Sequence, residues 1–374
     1  MKGKLLIVVM VGILGLNLAG CTQNAEESTN QSEIQYEQKE AAEVITVNLN
    51  NNTEGIKILG ERNLSSASQI NCDWSCSGVE FEVETSGGQM VFRAGADGDS
   101  CYFRAYVDGE AWNNGETPYY KVNTNDSTIV LEDIPEGVHT IRLVKVTGYT
   151  IARAQLYSVT FRGTINTNAP QDRDMYIEFV GDSICCGYSV ASADGKTTDG
   201  SYAAQDGTMA YPYLIANELN ADYSVMALSG QGLLIGSPGI ERGYRYESWS
   251  RNPAALYEPE RKADVVVVNV GTNDFGNKDK DEYGITEDKF EQAYINLLKS
   301  IRSSNGEECK IYCVYGVMND TFQAQIERAC AYMGGEQEGI YACLLQPQTE
   351  DGQHPNAEQN KQYAEQLVEF IQNN

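Results

Sequence analysis

The sequence predicts an α/β domain, with a parallel sheet covered by helices on both faces, preceded by an all-β sandwich domain. The main evidence is a change of hydrophobic period near residues 168–170. Before that point, short alternating runs are separated by Gly, Asn and Asp, which is typical of an antiparallel sandwich. After it, strongly apolar runs alternate with helical patterns, which is typical of buried parallel strands joined by helices.

The length and charge of the chain limit its organisation and its partners. A chain of 374 residues is long enough for two domains and a tail. The formal net charge is -26 at pH 7. This charge argues against nucleic acid or an anionic membrane surface as a partner, because phosphate groups would be repelled. We therefore expect a neutral or weakly charged substrate.

The first 21 residues have the layout of an export signal. Lys2 and Lys4 precede an apolar run over 5–16 that is too short to span a membrane. The run ends in Leu-Ala-Gly-Cys at 18–21, which resembles the lipobox of bacterial lipoproteins and implies lipidation of Cys21. The alternative is an ordinary cleaved signal. We expect a cell-surface lipoprotein whose only membrane contact is the lipid on Cys21.

Three further segments follow the signal. Residues 22–44 are rich in Glu, Gln, Asn and Ser, which predicts a disordered tether. Residues 45–164 form the predicted sandwich domain, with strands at 79–85, 89–94, 102–107, 127–131, 139–146 and 154–161. Residues 170–374 form the predicted α/β domain, with strands at 175–180, 223–228, 265–270, 310–317 and 339–345. Its predicted helices are 208–219, 286–303, 321–333 and 357–372.

The cysteines are interpreted mainly as small buried hydrophobic residues. Nine of the ten cysteines follow Cys21, an odd number, so at least one of them is unpaired. Domains of this size do not require disulfides, and Cys-x3-Cys pairs without a nearby histidine are weak metal candidates. Cys185 and Cys186 are expected to pack beneath the turn that carries Ser183.

Three short motifs each follow a predicted strand of the α/β domain or precede its last helix. They are Gly181-Asp182-Ser183, Gly271-Thr272-Asn273-Asp274, and Asp-Gly-Gln-His-Pro-Asn at 351–356. Because the carboxyl ends of parallel strands meet at one edge of a sheet, we expect the motifs to converge there. The chain has only two histidines, so the choice of a catalytic base is narrow. His139 lies in a predicted sandwich strand and is interpreted as structural, which leaves His354.

These residues have the chemistry of ester hydrolysis by a serine. Ser183 supplies the nucleophile and His354 the general base. Asp351 reaches the other imidazole nitrogen if 351–354 form one turn, and a backbone carbonyl is the alternative orienting group. The candidate oxyanion donors are the Ser183 amide, an amide of the 229–232 loop and the Asn273 side chain. The neighbouring Asp182 and Asp274 are interpreted as residues that brace the loops.

The motifs resemble, in order, the four sequence blocks of the SGNH, or GDSL, hydrolases. The serine block corresponds to 181–183, the glycine block to Leu228-Ser229-Gly230, the asparagine block to 271–274 and the Asp-x-x-His block to 351–354. The resemblance implies a flavodoxin-like domain in which Gly230, ahead of Gly232, supplies the oxyanion glycine. It also implies that no metal or organic cofactor is needed.

The chain is more narrowly similar to carbohydrate esterase family two over about residues 45–374. The similarity rests on LEDIPEGVHTIRLVK from Leu131, GDSICCGY from Gly181, and Ala210-Tyr211 before a helix. That family joins an N-terminal jelly roll to the hydrolase domain and removes O-acetyl groups from plant polysaccharides such as xylan and glucomannan. Two segments depart from the family pattern, namely 205–209 and Gln353, where an aromatic residue is usual. Both segments are expected near the substrate, so the resemblance leaves the sugar preference open.

Aromatic residues are the candidate sugar contacts, since aromatic faces stack on sugar rings. Trp249 is the candidate substrate-binding platform, and the alternative is that it packs within its loop. Trp74 and Trp112 are candidates for a carbohydrate-binding face of the sandwich domain, with core packing as the default.

The sequence therefore predicts an acetylesterase acting on O-acetylated plant cell-wall polysaccharide or oligosaccharide. One alternative keeps the chemistry but places it on bacterial envelope polymers or lipid esters. The loops at 184–210 and 231–262 lack the apolar excess that a long acyl pocket requires. A second alternative is a non-catalytic carbohydrate-binding lipoprotein.

Overall fold

Two sheets organise the computed structural model, one antiparallel over residues 44–165 and one parallel over residues 176–344. Residues 41–374 form one compact unit. The residues that the structure describes are 42–60, 68–98, 100–113, 115, 117–123, 126–192, 204–236, 239–244, 246–248, 252–279, 282–349 and 353–374. The predicted signal, Cys21 and nearly all of the predicted tether lie outside them.

The first nine strands are hydrogen-bonded into one strand-rich sheet with the order β1-β9-β4-β8-β5-β6, to which three short strands attach. The strands are β1 (Val44–Asn48), β2 (Lys57–Leu59), β3 (Ile70–Cys72), β4 (Gly78–Gly98), β5 (Cys101–Val107), β6 (Glu110–Trp112), β7 (Tyr120–Val122), β8 (Ser127–Lys145) and β9 (Ala152–Ile165). Their buried side chains, which include Phe81, Phe92 and Phe103, form one core. The jelly-roll arrangement of these strands stays a prediction.

Two pairs of predicted strands are each a single long strand. The predicted strands 79–85 and 89–94 are joined in β4, and 127–131 and 139–146 are joined in β8. Gly87 and Gly88, which lie between the two strands predicted at 79–85 and 89–94, continue the strand with φ values of 82° and 100°. The pairing of β4 with β8 shifts register between Gly88 and Met90. The glycines therefore produce an irregularity within a long ladder, where an L-residue with a side chain would be strained.

The second sheet has five parallel strands in the order β11-β10-β14-β15-β16. Counted along the domain this is the order 2-1-3-4-5, which confirms the flavodoxin-like prediction. The strands of this region are β10 (Tyr176–Gly181), β11 (Asp222–Ala227), β12 (Tyr246–Ser248), β13 (Asn252–Leu256), β14 (Val265–Asn269), β15 (Lys310–Tyr315) and β16 (Ile340–Leu344), of which β12 and β13 form a separate hairpin.

Helices cover both faces of the parallel sheet. They are α1 (Tyr211–Glu218), α2 (Ile240–Gly243), α3 (Thr272–Asn277), α4 (Glu287–Asn305), α5 (Gln323–Tyr332) and α6 (Ala357–Asn373). Alternate strand residues point to opposite faces, so Val266 and Val268 belong to the core that contains residues of α4 and α5, whereas Val265 and Val267 belong to the core that contains residues of α1 and α6. The apolar face of α4, which includes Phe290, Leu297 and Ile301, is buried. Among the described residues, no helix has the length and apolarity needed to cross a membrane.

The predicted helix 208–219 is divided in two. A short 3-10 turn covers Gly207–Met209, and α1 begins only at Tyr211. The residue between them, Ala210, has an extended backbone and Pro212 stands in the first turn of α1. Proline lacks a backbone N–H and favours the start of a helix, which explains the later boundary.

The antiparallel sheet is attached to the outer edge of the parallel sheet. Gly60, just after β2, forms a parallel bridge with Ser224 of β11, and Val225 N donates to Gly60 O at 3.3 Å. Beside this bridge, the buried Glu80 of β4 accepts hydrogen bonds from Arg142 Nε at 2.7 Å and Arg173 Nη2 at 3.0 Å. Arg173 Nη1 also donates to Asp222 at 3.0 Å. Arg173, which follows β9 in the chain, therefore connects β4 of the antiparallel sheet to β11 of the parallel sheet.

Candidate active site

The site lies at the carboxyl edge of the parallel sheet, where the strand order reverses. Strand β10 has β11 on one side and β14 on the other, and Gly181 at its end is level with Ala227 and Asn269. The chain leaves β10 toward β11 and returns on the other side as β14, so β10 is the topological switch point, where open α/β sheets bind ligands. Ser183 stands two residues beyond the end of this strand.

Ser183 and His354 are brought together at this edge. His354 Nε2 lies 2.7 Å from Ser183 Oγ, which is a hydrogen-bond distance. The Ser183 side chain is buried, and His354 is half-buried. This geometry suits proton transfer from the serine hydroxyl to the imidazole.

His354 is positioned by the first turn of α6. Asn356 caps this helix, because its side chain accepts from Gln359 N at 2.9 Å while Gln359 Oε1 accepts from Asn356 N at 3.0 Å. Such a capping box fixes the direction in which the chain enters the helix. Asn360 Nδ2 donates to Pro355 O at 3.1 Å, and Asn360 Oδ1 accepts from Tyr211 N at 3.1 Å. The segment that carries His354 is therefore tied to the start of α1.

Burial favours the neutral form of the imidazole. It lowers the pKa of His354 from 6.5 to about 4, since a charged ring loses hydration in this position. One neighbour is the ring of Tyr188, whose centroid lies 4.8 Å from that of His354 at an interplanar angle of 49°. A neutral imidazole can accept the proton of Ser183, so the site holds its candidate base in the reactive form.

Asn273 joins the three strand-end segments. Its Nδ2 donates to Gln231 O at 2.8 Å, next to Gly230, and lies 3.2 Å from Asp182 Oδ2, next to Ser183. The predicted oxyanion residues are thus held on neighbouring segments of one sheet edge. The contact with Asp182 is the longer of the two.

Two buried carboxyl groups brace these loops, as the sequence predicts. Asp182 accepts from Ile184 N at 3.0 Å, and Asp274 accepts from Leu233 N at 2.7 Å and Leu234 N at 2.8 Å. Burial, together with the charge of Asp274, raises the pKa of Asp182 to about 7. Burial also raises the pKa of Asp274.

The two candidate glycines occupy different environments. Gly230 is exposed, with φ of 81°, and a Cβ built there would have no heavy atom within 4 Å. A Cβ on Gly232 would lie 2.4 Å from Asp274 Oδ2. Gly232 is therefore required for close packing, while Gly230 leaves open space at the position that the resemblance assigns to the oxyanion.

The antiparallel sheet supports the back of the turn after β10 that carries Ser183, which we call the nucleophile turn. Ser75 Oγ lies 3.0 Å from Cys186 O and 3.3 Å from Val146 O. Cys185 and Cys186 are buried under the turn, as predicted, and a Cβ on Gly181 would lie 2.1 Å from Cys185 Sγ. Nine cysteines are described, and none of them forms a disulfide in the described part of the chain. The prediction of buried, unbonded cysteines is confirmed for most of them.

Several predicted residues lie outside the described part of the chain or away from the mouth of the site. Asp351 and Trp249 are outside the described residues. Trp74 is buried and stacks on Tyr149 with centroids 4.6 Å apart, so it belongs to the core. Trp112 is half-buried and its Nε1 donates to Glu132 O at 2.9 Å. His139 Nδ1 lies 2.7 Å from Asp108 Oδ2, on the antiparallel sheet.

The segment 205–209, which departs from the pattern of carbohydrate esterase family two, has a structural role in this chain. Asp206 has no exposed surface, and it accepts from Arg104 Nη1 at 3.2 Å and Tyr119 Oη at 3.0 Å. Its backbone also packs on the nucleophile turn, because a Cβ on Gly187 would lie 2.5 Å from Asp206 O. Asp206 therefore links the antiparallel sheet to the turn after Ser183, and the effect of the 205–209 segment on sugar preference stays a prediction.

Comparisons with known proteins agree with this geometry. The family model described as GDSL-like lipase/acylhydrolase matches residues 179–373, more than half of the chain. The chain belongs to the GDSL-like lipase/acylhydrolase family. The matched region includes Ser183, Gly230, Asn273 and His354.

Named members of this family include esterases that act on carbohydrates. The cellulase/esterase CelE of Acetivibrio thermocellus is 31% identical over 275 residues, which are 71% of this chain but only 31% of that protein. The acetylxylan esterase / glucomannan deacetylase of Cellvibrio japonicus is 25% identical over 81% of this chain and 86% of its own length. This GDSL-like chain therefore spans about a third of CelE and most of the second relative.

Solved structures extend the similarity to the antiparallel sheet. A family two carbohydrate esterase from Clostridium thermocellum in complex with cellohexaose is 28% identical, with a TM-score of 0.74 over 85% of this chain and 98% of that chain. An acetyl xylan esterase from Butyrivibrio proteoclasticus, 18% identical, shares the fold with a TM-score of 0.73 over 88% of this chain and 98% of its own. The GDSL-like chain resembles these proteins over both of its sheets.

Sequence reasoning did not identify Tyr188 as a neighbour of the histidine. Tyr188 lies in the nucleophile turn between Gly187 and Ser189, and these two neighbours have left-handed φ values of 76° and 61°. A non-glycine residue in that region costs energy and often marks a functional segment. A single sequence does not show backbone angles, so this signal became visible only in the structure.

Proposed function

We propose that this protein is a serine esterase that removes O-acetyl groups from plant cell-wall polysaccharide or oligosaccharide. The observation that carries the proposal is the 2.7 Å contact between His354 Nε2 and Ser183 Oγ at the switch point of the sheet. The names of the carbohydrate esterase relatives support the choice of substrate class.

The first half of the reaction forms an acetyl-serine. Ser183 Oγ attacks the acetyl carbonyl carbon while its proton passes to His354 Nε2. The bond between the carbonyl carbon and the sugar oxygen then breaks, and the sugar oxygen takes the proton from His354. The oxyanion is held by the Ser183 amide, the Gly230 amide and Asn273 Nδ2.

The second half repeats these steps with water. His354 Nε2 takes a proton from the water as its oxygen attacks the acetyl-serine. Acetate leaves, and Ser183 Oγ regains its proton from His354. For Nε2 to accept a proton in both halves, the neutral ring must carry its hydrogen on Nδ1. Asp351 or a backbone carbonyl is the group that we propose to hold this tautomer.

Trp249 remains the proposed sugar platform and Cys21 the proposed lipid anchor, in an extracytoplasmic protein displayed at the cell surface. The anchor is tested by expressing the full chain and its Cys21→Ser variant and separating detergent-phase from aqueous-phase protein. Lipidation predicts that the unsubstituted chain enters the detergent phase and that Cys21→Ser does not. The Ser183→Ala variant, which keeps Cys21, is the control and should enter the detergent phase as well.

Acetate release from acetylated xylan and acetylated glucomannan tests the esterase. We expect the purified full chain to release acetate from at least one polymer, and Ser183→Ala to lose at least about three orders of magnitude in rate. Activity on ethyl acetate without activity on either polymer would retain the serine esterase and reject the plant polymer. Preference for long-chain acyl esters would favour a lipolytic enzyme, and binding of polymer without hydrolysis would favour a carbohydrate-binding protein.

A further inference from the structure

The nucleophile turn places an aromatic ring directly against the candidate base. Tyr188 lies five positions after Ser183, and its ring centroid is 4.8 Å from that of His354. Among the described residues, it is the aromatic side chain whose ring contacts the imidazole. Tyr188 is half-buried, so part of its surface is open to solvent at the mouth of the site.

The position of this ring is fixed by the backbone around it. Tyr188 N donates to Ser183 O at 3.0 Å, which closes the nucleophile turn. Gly187 and Ser189 on either side have left-handed φ values of 76° and 61°. Ser189 has no exposed surface, and the strain of a non-glycine residue in this conformation is held by its packing. The backbone that carries the ring is therefore fixed relative to Ser183.

The chemistry places the leaving sugar next to this ring. The sugar oxygen takes its proton from His354 Nε2, so in the reacting complex it lies within about 3 Å of that atom. The carbonyl oxygen of the acetyl group points toward the proposed donors at Gly230 and Asn273, and the sugar oxygen occupies a different position on the same carbon. A sugar ring bonded to the leaving oxygen therefore lies close to the imidazole, which brings it within reach of the neighbouring ring of Tyr188.

We propose that Tyr188 is a specificity-determining residue whose ring packs against the sugar that carries the acetyl group. The inference rests on the proposed esterase function and adds the leaving-group side of its substrate site. The Tyr188 hydroxyl makes no hydrogen bond to any residue that the structure describes. It is available to a sugar hydroxyl, while the ring supplies the apolar contact that sugars make with aromatic faces.

The test compares two acetyl esters that differ in the leaving group. One is an acetylated xylo-oligosaccharide, and the other is ethyl acetate, whose leaving group has no ring. In Tyr188→Leu, we expect kcat/KM for the oligosaccharide to fall about tenfold, mainly through KM, while kcat/KM for ethyl acetate stays within about threefold. Tyr188→Phe keeps the ring and should retain most of the oligosaccharide activity.

A matched control separates this effect from a general loss of tyrosine. Tyr332 on α5 is 67% exposed and is not part of the site, so Tyr332→Leu should leave both kcat/KM values unchanged. If Tyr188→Leu fails to fold, Tyr188→Met takes its place, and direct binding of a deacetylated xylo-oligosaccharide to the full chain is the second measurement. Weaker binding to the leucine or methionine variant than to the unsubstituted chain, with Tyr188→Phe close to the unsubstituted chain, would support the contact.

Three outcomes would overturn the proposal, and each points to a different cause. Equal losses on both esters would mean that Tyr188 only supports His354. Unchanged kcat/KM on both esters would mean that the sugar does not reach the ring. Failure of the unsubstituted chain to release acetate from the oligosaccharide, with ethyl acetate still hydrolysed, would reject the sugar substrate itself and this contact with it.

Discussion

The side-chain nitrogen of Asn273 lies 3.2 Å from a carboxyl oxygen of Asp182, the residue that immediately precedes Ser183. The same nitrogen donates to Gln231 O at 2.8 Å. One buried carboxyl group is therefore shared between the turn that carries the nucleophile and the loop that carries a proposed oxyanion donor.

Replacing Asp182 with asparagine should remove a pH-dependent loss of stability. Burial, with the Asp274 charge, raises the pKa of Asp182 from 3.8 to about 7 in the folded protein. Its contribution to stability is therefore complete below about pH 4 and is lost as the pH rises through about 7. The free energy of unfolding of the wild type, relative to Asp182→Asn, should fall by a few kcal/mol between pH 4 and pH 8.

Urea unfolding of both proteins at several pH values measures this difference. Other titrating groups are common to the two proteins, so their contributions cancel. A difference that stays constant over this range would show that Asp182 ionises with an ordinary pKa and that its carboxylate is fully stabilised by the donors around it.

The acidic limb of the pH–rate profile should lie well below the ordinary range for histidine. Burial lowers the pKa of His354 from 6.5 to about 4, and only the neutral ring acts as a base. As the pH falls, kcat/KM should therefore hold until about pH 5 and reach half its maximum near pH 4. Acetate release from ethyl acetate measures it, with circular dichroism at each pH to confirm that the chain remains folded. A limb near pH 6.5 would contradict the expected shift.

Most of the α/β fold and the main site residues are predictable from the sequence because each rests on a strong local signal. The strands β10, β11, β14, β15 and β16 are apolar runs, and their observed boundaries lie within two residues of the predicted ones. Ser183 and Asn273 follow such runs directly, and His354 precedes a helix with a capping residue. Strand ends of a parallel sheet meet at one edge, so local signals were enough to bring these residues together.

The remaining features depend on contacts between distant parts of the chain. Gly87 and Gly88 resemble a turn locally, but pairing with β8 on both sides keeps them within one strand. The partners of Asp206 lie on the other sheet, so its burial could not be read from the residues around it. The contact of Tyr188 with His354 likewise depends on how the nucleophile turn packs against the start of α6.

Gly230→Ala should reduce the rate of catalysis more than stability alone explains. Gly230 has φ of 81°, a conformation that alanine adopts at a cost of about 1–2 kcal/mol. There is space for the added methyl group, since a Cβ has no heavy atom within 4 Å. The strain turns the peptide and misdirects the amide that we propose as an oxyanion donor. We expect kcat to fall about 100-fold, as for loss of one donor.

Gly109 offers a closely matched control for this substitution. It stands in the turn between β5 and β6 with φ of 84°, and a Cβ there also has no heavy atom within 4 Å. Gly109→Ala should lower the free energy of unfolding by a similar amount and leave kcat unchanged. If the two variants have equal kcat values, the Gly230 amide does not contribute to the oxyanion site.

Glu80→Gln should destabilise the whole unit by weakening the ion pairs that tie its two sheets together. Burial raises the pKa of Glu80, but the charges and hydrogen bonds of Arg142 and Arg173 outweigh it and hold the pKa below 4.5. The carboxylate therefore contributes stability above about pH 4.5, and this contribution is lost as the pH falls. At pH 7 we expect the free energy of unfolding to fall by about 3 kcal/mol, because the variant leaves two arginines without their shared partner.

The exposed ion pair between Arg93 and Asp126 is the control for this substitution. Its atoms are 2.6 Å apart, but both side chains are more than half exposed. Solvent screens such a pair, so Asp126→Asn should change stability by less than about 1 kcal/mol. Urea unfolding at pH 7 compares the two variants with the wild type. Equal, small effects would mean that the Glu80 cluster does not hold the sheets together.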